Sequence, residues 1–294
     1  MTLYVLFKRY NAVMDDNLLV TEPFARYLKE CQDIIDFSAT IWGTAAAFDK
    51  LAIEKYFPTF PEVSDIDEDA FAKAAEAHIT EIINHQNPAK MAWLRLNEHR
   101  QLQCQMLHNR SVDNFLTYIS ELMAAVYHKQ PNLLKTKDMV AIEDVLKYET
   151  KEEFVVALAE KRVQDLAYKG IRELAETLSK SWGVRLFANE TVLPILAYTV
   201  EIRNIIAHNR GIVNQTFLKR TKGLDLGIEL PTALGDPLLL DIDVVVTYLK
   251  FTLSSTFEID KIVTAKFALP TQPAPEPKDS FDFPFDVEAS AEKM

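Results

Sequence analysis

The residues best suited to chemistry in this sequence lie in one short stretch, in which Arg203 and Asn204 are followed by His208. A guanidinium presents a rigid set of donors that neutralises charge on phosphoryl oxygens. An imidazole can give or accept a proton at neutral pH. Together these groups are typical of sites that act on phosphate esters. Their spacing alone is weak evidence, because arginine and histidine fall at such separations by chance.

The stretch is predicted to lie near the end of a helix over residues 189–209, which Gly211 terminates. Asn204 and His208 are four residues apart and share one face of that helix, so the amide can orient the imidazole. Arg203 is five residues from His208, which places it roughly 140° further round the helix. A bend at the helix end, or a second copy of the helix across a two-fold axis, would bring both side chains to one phosphate. The spacing therefore predicts self-association.

A plainer interpretation of the same residues is structural. Arg203 would form a surface ion pair with a nearby acid, and His208 would lie at a helix C-terminus, where a positive charge suits the helix dipole. The core-facing stripe of the helix is predicted to consist of Ile195, Thr199, Ile202 and Ile206. The polar set therefore lies beside the core rather than inside it.

Charge is distributed unevenly along the chain, whose formal net charge is −11. Residues 57–81 hold seven acids and one lysine, and residues 270–294 hold six acids and two lysines. Residues 202–224, by contrast, hold five basic residues and no acid. The five are Arg203, Arg210, Lys219, Arg220 and Lys222. Such a local excess can bind phosphate although the whole molecule is acidic.

Other histidines are interpreted as structural. His78, Glu81 and His85 have the spacing of metal ligands on a helix, but an acidic helix usually displays such residues to solvent, and no third strong ligand is nearby. His108 and Arg110 are expected on a solvated helix face. We therefore expect no metal and no other cofactor.

Composition indicates an all-α fold. The chain has 294 residues, of which 48% are hydrophobic, and only 7 glycines, too few for a turn-dense β-sandwich or a glycine-looped nucleotide fold. No apolar run approaches the ~20 residues that span a bilayer. Basic residues follow the short apolar stretch 3–7 rather than preceding it, unlike a secretory signal. With Cys31 and Cys104 expected to be free thiols, the sequence predicts a soluble cytoplasmic protein with no membrane partner.

Capping signals divide the chain into helices. Thr21 with Pro23 predicts the start of a helix that reaches about residue 36, and further helices are predicted over 41–57 and 65–110. Ser111 is predicted to cap the next helix, to residue 129. Thr150 with Glu153 fits a capping box that opens a helix to about residue 182. The last helix is predicted over 238–263, after a cap at Asp236–Pro237.

Three regions follow from these signals. Residues 1–109 are predicted to form an N-terminal helical region, residues 110–269 a helical domain, and residues 270–294 a disordered acidic tail. Residues 271–277 are proline-rich and are not expected to pack as helix or strand. Residues 279–286 alternate aromatic and acidic side chains, which would suit docking on a partner or on the basic segment. A purely solubilising tail is the plainer interpretation.

The stretch 200–213 resembles the signature of the HEPN superfamily, an arginine often followed by a polar residue and then by histidine after a short gap. Arg203, Asn204 and His208 each match a position of that signature. The resemblance covers about residues 110–267, and its flanks are similar to those of bacterial HEPN proteins linked to abortive infection. Its flanking features are Arg162, Gln164, Leu166 and Trp182 upstream, and residues 214–220, Asp260 and Phe267 downstream.

The resemblance implies a four-helix domain that dimerises and places two motifs in one cleft. It implies a metal-independent endoribonuclease in which His208 acts as general base or acid, Arg203 neutralises phosphoryl charge, and Asn204 orients the imidazole or the phosphate. Arg210, Lys219, Arg220 and Lys222 would hold flanking RNA phosphates, which predicts salt-sensitive binding.

Two functions from different classes remain open at this stage. The first is a homodimeric endoribonuclease that leaves 2′,3′-cyclic phosphate and 5′-hydroxyl ends, in phage defence or in a toxin-like role with an inhibitory or sensor protein as partner. The second is a non-catalytic HEPN-type module that binds RNA, a nucleotide or a protein. An intact set of Arg203, Asn204 and His208 favours the first.

Overall fold

A computed structural model describes residues 18–56, 96–134, 141–167, 170–185, 187, 192–223 and 233–276. Within these residues the chain is mostly helical, which confirms the all-α class. The helices are α1 (Glu22–Tyr56), α2 (Arg100–Lys129), α3 (Ile142–Val145), α4 (Lys151–Ala167), α5 (Ile171–Trp182), α6 (Val192–Asn209), α7 (Gln215–Thr221) and α8 (Ile242–Phe267). A 3-10 turn, Pro131–Leu134, follows α2. In the part of the chain that the structure describes, no helix has the length and apolar character needed to cross a bilayer.

The chain divides into two compact units. The first comprises Met1–Ile34 and Cys104–Ser280, and the second comprises Ile35–Gln103 and Phe281–Met294. Helix α1 begins in the first unit and ends in the second, and the predicted boundary at residues 109 and 110 lies inside α2. Described residues 18–34 therefore belong to the same unit as the residues after 104, whereas the sequence assigned them to a separate region.

The start of α1 is anchored by a buried carboxylate on α8. The hydroxyl of Thr21 accepts a hydrogen bond from the Phe24 amide at 3.3 Å, so the predicted cap is confirmed. The amide and hydroxyl of Thr21 both donate to Asp260, and the hydroxyl of Tyr118 on α2 donates to it as well. Burial raises the pKa of Asp260, while the hydrogen bonds from Thr21 and Tyr118 lower it. This carboxylate thus ties α1, α2 and α8 together.

Residues just beyond α8 pair with the segment before α1. Strand β1 (Leu19–Val20) runs antiparallel to β2 (Gln272–Pro273), and the amide of Ala274 donates to the carbonyl of Leu18 at 2.8 Å. The expectation that residues 271–277 would not pack as helix or strand is therefore wrong for β2. Proline is tolerated there because a two-residue edge strand needs few amide donors. Residues 277–294, including the aromatic and acidic stretch, lie outside the described residues.

Several helix boundaries differ from the predicted ones. Helix α1 is continuous where two stretches were predicted, and α2 continues through Ser111 instead of starting there. The hydroxyl of Ser111 donates to the Leu107 carbonyl at 2.7 Å, so it is satisfied inside the helix and does not cap one. The helix that Thr150 opens stops at residue 167, and Gly170, with φ at +81°, precedes a separate helix α5. The Thr150 cap itself is confirmed, since its hydroxyl accepts from the Glu153 amide at 3.1 Å.

The last helix begins later than predicted. It spans Ile242–Phe267, whereas the sequence predicted residues 238–263 after a cap at Asp236–Pro237. Those two residues instead pair with the loop after α6, where the Asp236 carbonyl accepts from the Val213 amide. The β-branched run 244–246 is helical, as predicted.

His108 lies in the core of the first unit rather than on a solvated face, so that expectation is wrong. Its side chain is 1% exposed, its Nε2 lies 3.1 Å from the Thr199 carbonyl, and its ring packs edge-on against Tyr248. Burial lowers its pKa to about 4, although the hydrogen bond to the Thr199 carbonyl acts in the opposite direction and raises the pKa. The neighbouring Arg110 is exposed, as expected, and pairs with Glu30.

The buried imidazole predicts a loss of stability in mild acid. Its pKa is about 4 in the folded chain and about 6.5 in an unfolded one, so the unfolded state binds more protons between these values. The free energy of unfolding should therefore fall by roughly 3 kcal/mol from this group as the pH drops from 6.5 to 4. Urea unfolding against pH, in wild type and His108→Gln, isolates the contribution. Identical pH profiles for the two proteins would contradict it.

Candidate active site

One face of helix α6 is buried, and the motif residues lie along the edge of that face. Thr199 and Ile202 are buried, and Ile195 and Ile206 are partly buried against the same cluster, so the predicted core-facing stripe is confirmed. Ile205, two turns from Tyr198 and also buried, broadens that stripe. The residues between these apolar positions are therefore held at the border between core and solvent.

The end of α6 is fixed by backbone pairing. Gly211 has φ at +73°, and its amide donates to the Ile205 carbonyl at 3.1 Å. The amide of Leu238 donates to the Gly211 carbonyl at 2.7 Å. The positive φ favours glycine at residue 211, where a β-carbon would also lie 3.1 Å from the side-chain nitrogen of Gln105. His208 consequently stands at a defined point, in the last turn of the helix.

A cleft of about 460 Å³ opens beside α6 in the first unit. Its apolar wall comes from α2, α5 and α7, through Leu116, Ile119, Ile171, Leu174 and Phe217. Its polar lining comes mainly from α6 and α7, through Glu201, Arg203, Asn204, His208 and Arg220. All three predicted catalytic residues therefore line one cleft in a single chain. The spacing of Arg203 and His208 on a straight helix did not predict this for these two residues.

Arg203 is held by two hydrogen bonds. Its Nε donates to the Asp113 carboxylate on α2 at 2.7 Å, and its Nη1 donates to the side-chain oxygen of Asn204 at 3.3 Å. The arginine side chain is 27% exposed. The ion pair that the structural interpretation required is thus present, and Asn204 orients the guanidinium in this structure.

His208 is exposed in the lining of the cleft. An imidazole in this position is accessible to a ligand and to solvent, as a group that exchanges protons with substrate must be. Burial in the core would have excluded such a role. His108 is buried in this way, whereas His208 is not.

The predicted phosphate-binding residues are divided between the cleft and the surface. Arg220 lines the cleft, and its Nη1 lies 3.2 and 3.3 Å from the two carboxylate oxygens of Glu201. Arg210, Lys219 and Lys222 are exposed and, among the described residues, are not part of the cleft lining. With Arg203 and Arg220 each paired to an acid, the segment presents less free positive charge than its sequence suggests.

Helix α7 positions Arg220. The side chain of Asn214 caps it by accepting from the Phe217 amide at 2.9 Å. Phe217 is buried and packs against the ring of Tyr198 on α6. The cap and this ring contact fix α7 against α6, so that the last turn of α7 delivers Arg220 to the cleft.

Two acids of the site were missed by the sequence reasoning. Glu201 lies seven residues before His208, two helical turns away on the same face, and that spacing was a usable signal. Asp113 lies 90 residues before Arg203 in the sequence. No local pattern indicates such a pair, because only the packing of α2 against α6 brings the two side chains together.

The remaining candidates lie elsewhere. His78, Glu81 and His85 are outside the described residues. Among the described residues there is no group of three histidine, cysteine, aspartate or glutamate side chains that could hold a metal ion. Cys31 and Cys104 are buried and are not joined in a disulfide, and burial raises the pKa of Cys31 to about 12, which keeps it a neutral thiol.

Comparison with known proteins gives no relative. No protein family model matches the chain, and neither a curated protein nor a solved structure matches it. Function is therefore inferred from the motif and from the cleft that it lines.

Removing the acid beside Arg220 should strengthen polyanion binding. In Glu201→Gln the guanidinium of Arg220 loses the negative charge that balances it and can pair with a phosphate, so the slope of log affinity against log salt should steepen by about one. Fluorescence anisotropy of a labelled single-stranded RNA at several KCl concentrations measures it. Glu176→Gln, which breaks an exposed pair with Lys180 on α5, is the matched control. Equal slopes for both variants and wild type would contradict the expectation.

Proposed function

We propose that the chain is a metal-independent endoribonuclease of HEPN type. The observation that carries the proposal is the shared cleft, into which Arg203, Asn204 and His208 all open. A guanidinium fixed by hydrogen bonds and an exposed imidazole in the same cleft supply charge neutralisation and proton transfer, the two elements that phosphodiester cleavage needs.

The reaction uses the ribose as nucleophile. The 2′-oxygen attacks phosphorus while its proton passes to a base, and the bond from phosphorus to the 5′-oxygen breaks as that oxygen takes up a proton. The products are a 2′,3′-cyclic phosphate and a 5′-hydroxyl, and no water is consumed. His208 serves as base or acid, and Arg203 neutralises the negative charge that develops on the non-bridging oxygens. DNA resists cleavage because it lacks the 2′-hydroxyl.

A second copy of the chain would complete the proton transfers. Attack requires a base and departure requires an acid, whereas each chain brings one His208 to its cleft. In a homodimer with adjacent clefts, one imidazole would accept the 2′-proton and its partner would protonate the 5′-oxygen. A cytoplasmic role in phage defence or as a toxin would suit such an activity, and an inhibitory or sensor partner would restrain it.

The second candidate function is a non-catalytic binding module of the same type. The pairing of Arg203 with Asp113 and of Arg220 with Glu201 favours it, because the charge of each guanidinium is already balanced by a carboxylate of the chain. Such a cleft would bind RNA, a nucleotide or a protein segment without changing it.

One experiment separates the two functions. Wild type, Arg203→Ala and His208→Ala are incubated with total RNA and tRNA in EDTA, and product ends are identified by their reactivity to phosphatase and kinase. We expect wild-type cleavage to cyclic phosphate ends and a loss on the order of 10²- to 10⁴-fold in each variant, as for removal of an acid–base or charge-stabilising group.

Two substitutions serve as matched controls. His99→Ala removes an exposed histidine outside the cleft, and Arg26→Ala removes an arginine that is also paired with acids, Glu22 and Glu121. Both should retain wild-type activity. RNA binding by wild type without cleavage would refute the nuclease in favour of the module, and absence of both would leave a protein-binding scaffold.

A further inference from the structure

The acid that contacts Arg203 comes from a different helix and from far away in the sequence. Asp113 on α2 places its Oδ1 2.7 Å from the arginine Nε. This is the short distance of a charge-assisted hydrogen bond. The two side chains are 42% and 27% exposed, so the pair is screened less than a fully exposed one.

The pair restricts the guanidinium in a particular way. Asp113 occupies Nε and Asn204 occupies Nη1, so the planar group is held on two sides by hydrogen bonds. A guanidinium group that is held in this way has lost most of its rotational freedom before a ligand binds. Its remaining N–H groups are then available to a phosphoryl oxygen without the entropy cost of ordering the side chain.

Helix α2 is a firm support for this acid. Val112 and Phe115, on either side of Asp113, are each 1% exposed, and the side-chain amide of Asn114 donates to the Tyr27 carbonyl at 3.1 Å. The carboxylate therefore projects from a helix that is anchored in the core, rather than from a loop that can move with its partner.

We propose that Asp113 is a positioning residue for the chemistry of the cleft, acting through Arg203 and not by touching substrate. This role rests on the proposed ribonuclease function. A carboxylate that fixes the guanidinium contributes mainly when charge develops on the phosphate, so its loss lowers kcat more than it raises KM.

The chain offers a matched control pair on the same helix. Glu121 of α2 pairs with Arg26 of α1, with Nε 3.1 Å from a carboxylate oxygen. The two side chains are 33% and 53% exposed, and neither lines the cleft. Glu121→Ala therefore removes an acid from α2, and an ion pair with an arginine Nε, without touching the site.

The kinetic test uses the full-length chain and a defined RNA oligonucleotide. In Asp113→Ala we expect kcat to fall about tenfold or more with KM within about threefold, since the guanidinium remains but is no longer fixed. Asp113→Asn should keep much of the rate, because the amide oxygen can still accept from Nε. Glu121→Ala should match wild type. Arg203→Ala, measured alongside, reports whether the site itself cleaves RNA.

A spectroscopic measurement follows the contact directly. The Nε–H signal of Arg203 is assigned by its loss in Arg203→Ala, and in Asp113→Ala it should move towards the position of free arginine and exchange faster with solvent. In Asp113→Asn the signal should remain protected. Circular dichroism and urea unfolding confirm that each variant is folded.

The outcomes separate this role from the function on which it rests. If Arg203→Ala is inactive while Asp113→Ala cleaves like wild type or faster, the positioning role is refuted and the ribonuclease stands. The role is also refuted if Asp113→Ala changes KM alone, or if the Nε–H signal of Arg203 is unchanged. If wild type cleaves no RNA, the ribonuclease and this role both fall.

Discussion

The buried carboxylate of Asp260 is the interaction on which the rest of the first unit depends. Burying an acid is costly unless it is hydrogen-bonded, and Asp260 accepts from Thr21 and Tyr118. These donors belong to the start of α1 and to the middle of α2. A polar centre inside the core therefore helps to specify how three helices pack. Because α2 supplies both Asp113 and part of the cleft wall, the geometry of the candidate site depends on this centre.

Local chemistry was predicted well from the sequence. The caps at Thr21 and Thr150 and the end of α6 at Gly211 follow from side-chain and backbone rules that act over a few residues. The helical class follows from composition, and the core-facing stripe of α6 follows from its periodicity. The exposure of His208 near the end of α6 also agrees with the pattern. These features require no knowledge of what lies across the core.

Features that depend on tertiary contacts were missed. Ser111 resembles a cap, but it is satisfied by a carbonyl inside α2 and the helix continues. His108 resembles a surface residue, yet it is neutral and buried because Thr199 offers a carbonyl and Tyr248 a ring. The same limit applies to the charge of the basic segment. Residues 202–224 contain no acid. Arg220 pairs with Glu201, just before the segment, and Arg203 pairs with Asp113 on α2.

The pairing of β1 with β2 has a consequence for how the chain reaches its fold. Thr21 finds its partner on Asp260 across 239 residues, and Leu18 bonds to Ala274. On a ribosome, the first helix emerges long before the residues that anchor it exist. The first unit therefore closes only after both partners of these contacts have been synthesised, and contacts so far apart in the sequence slow folding.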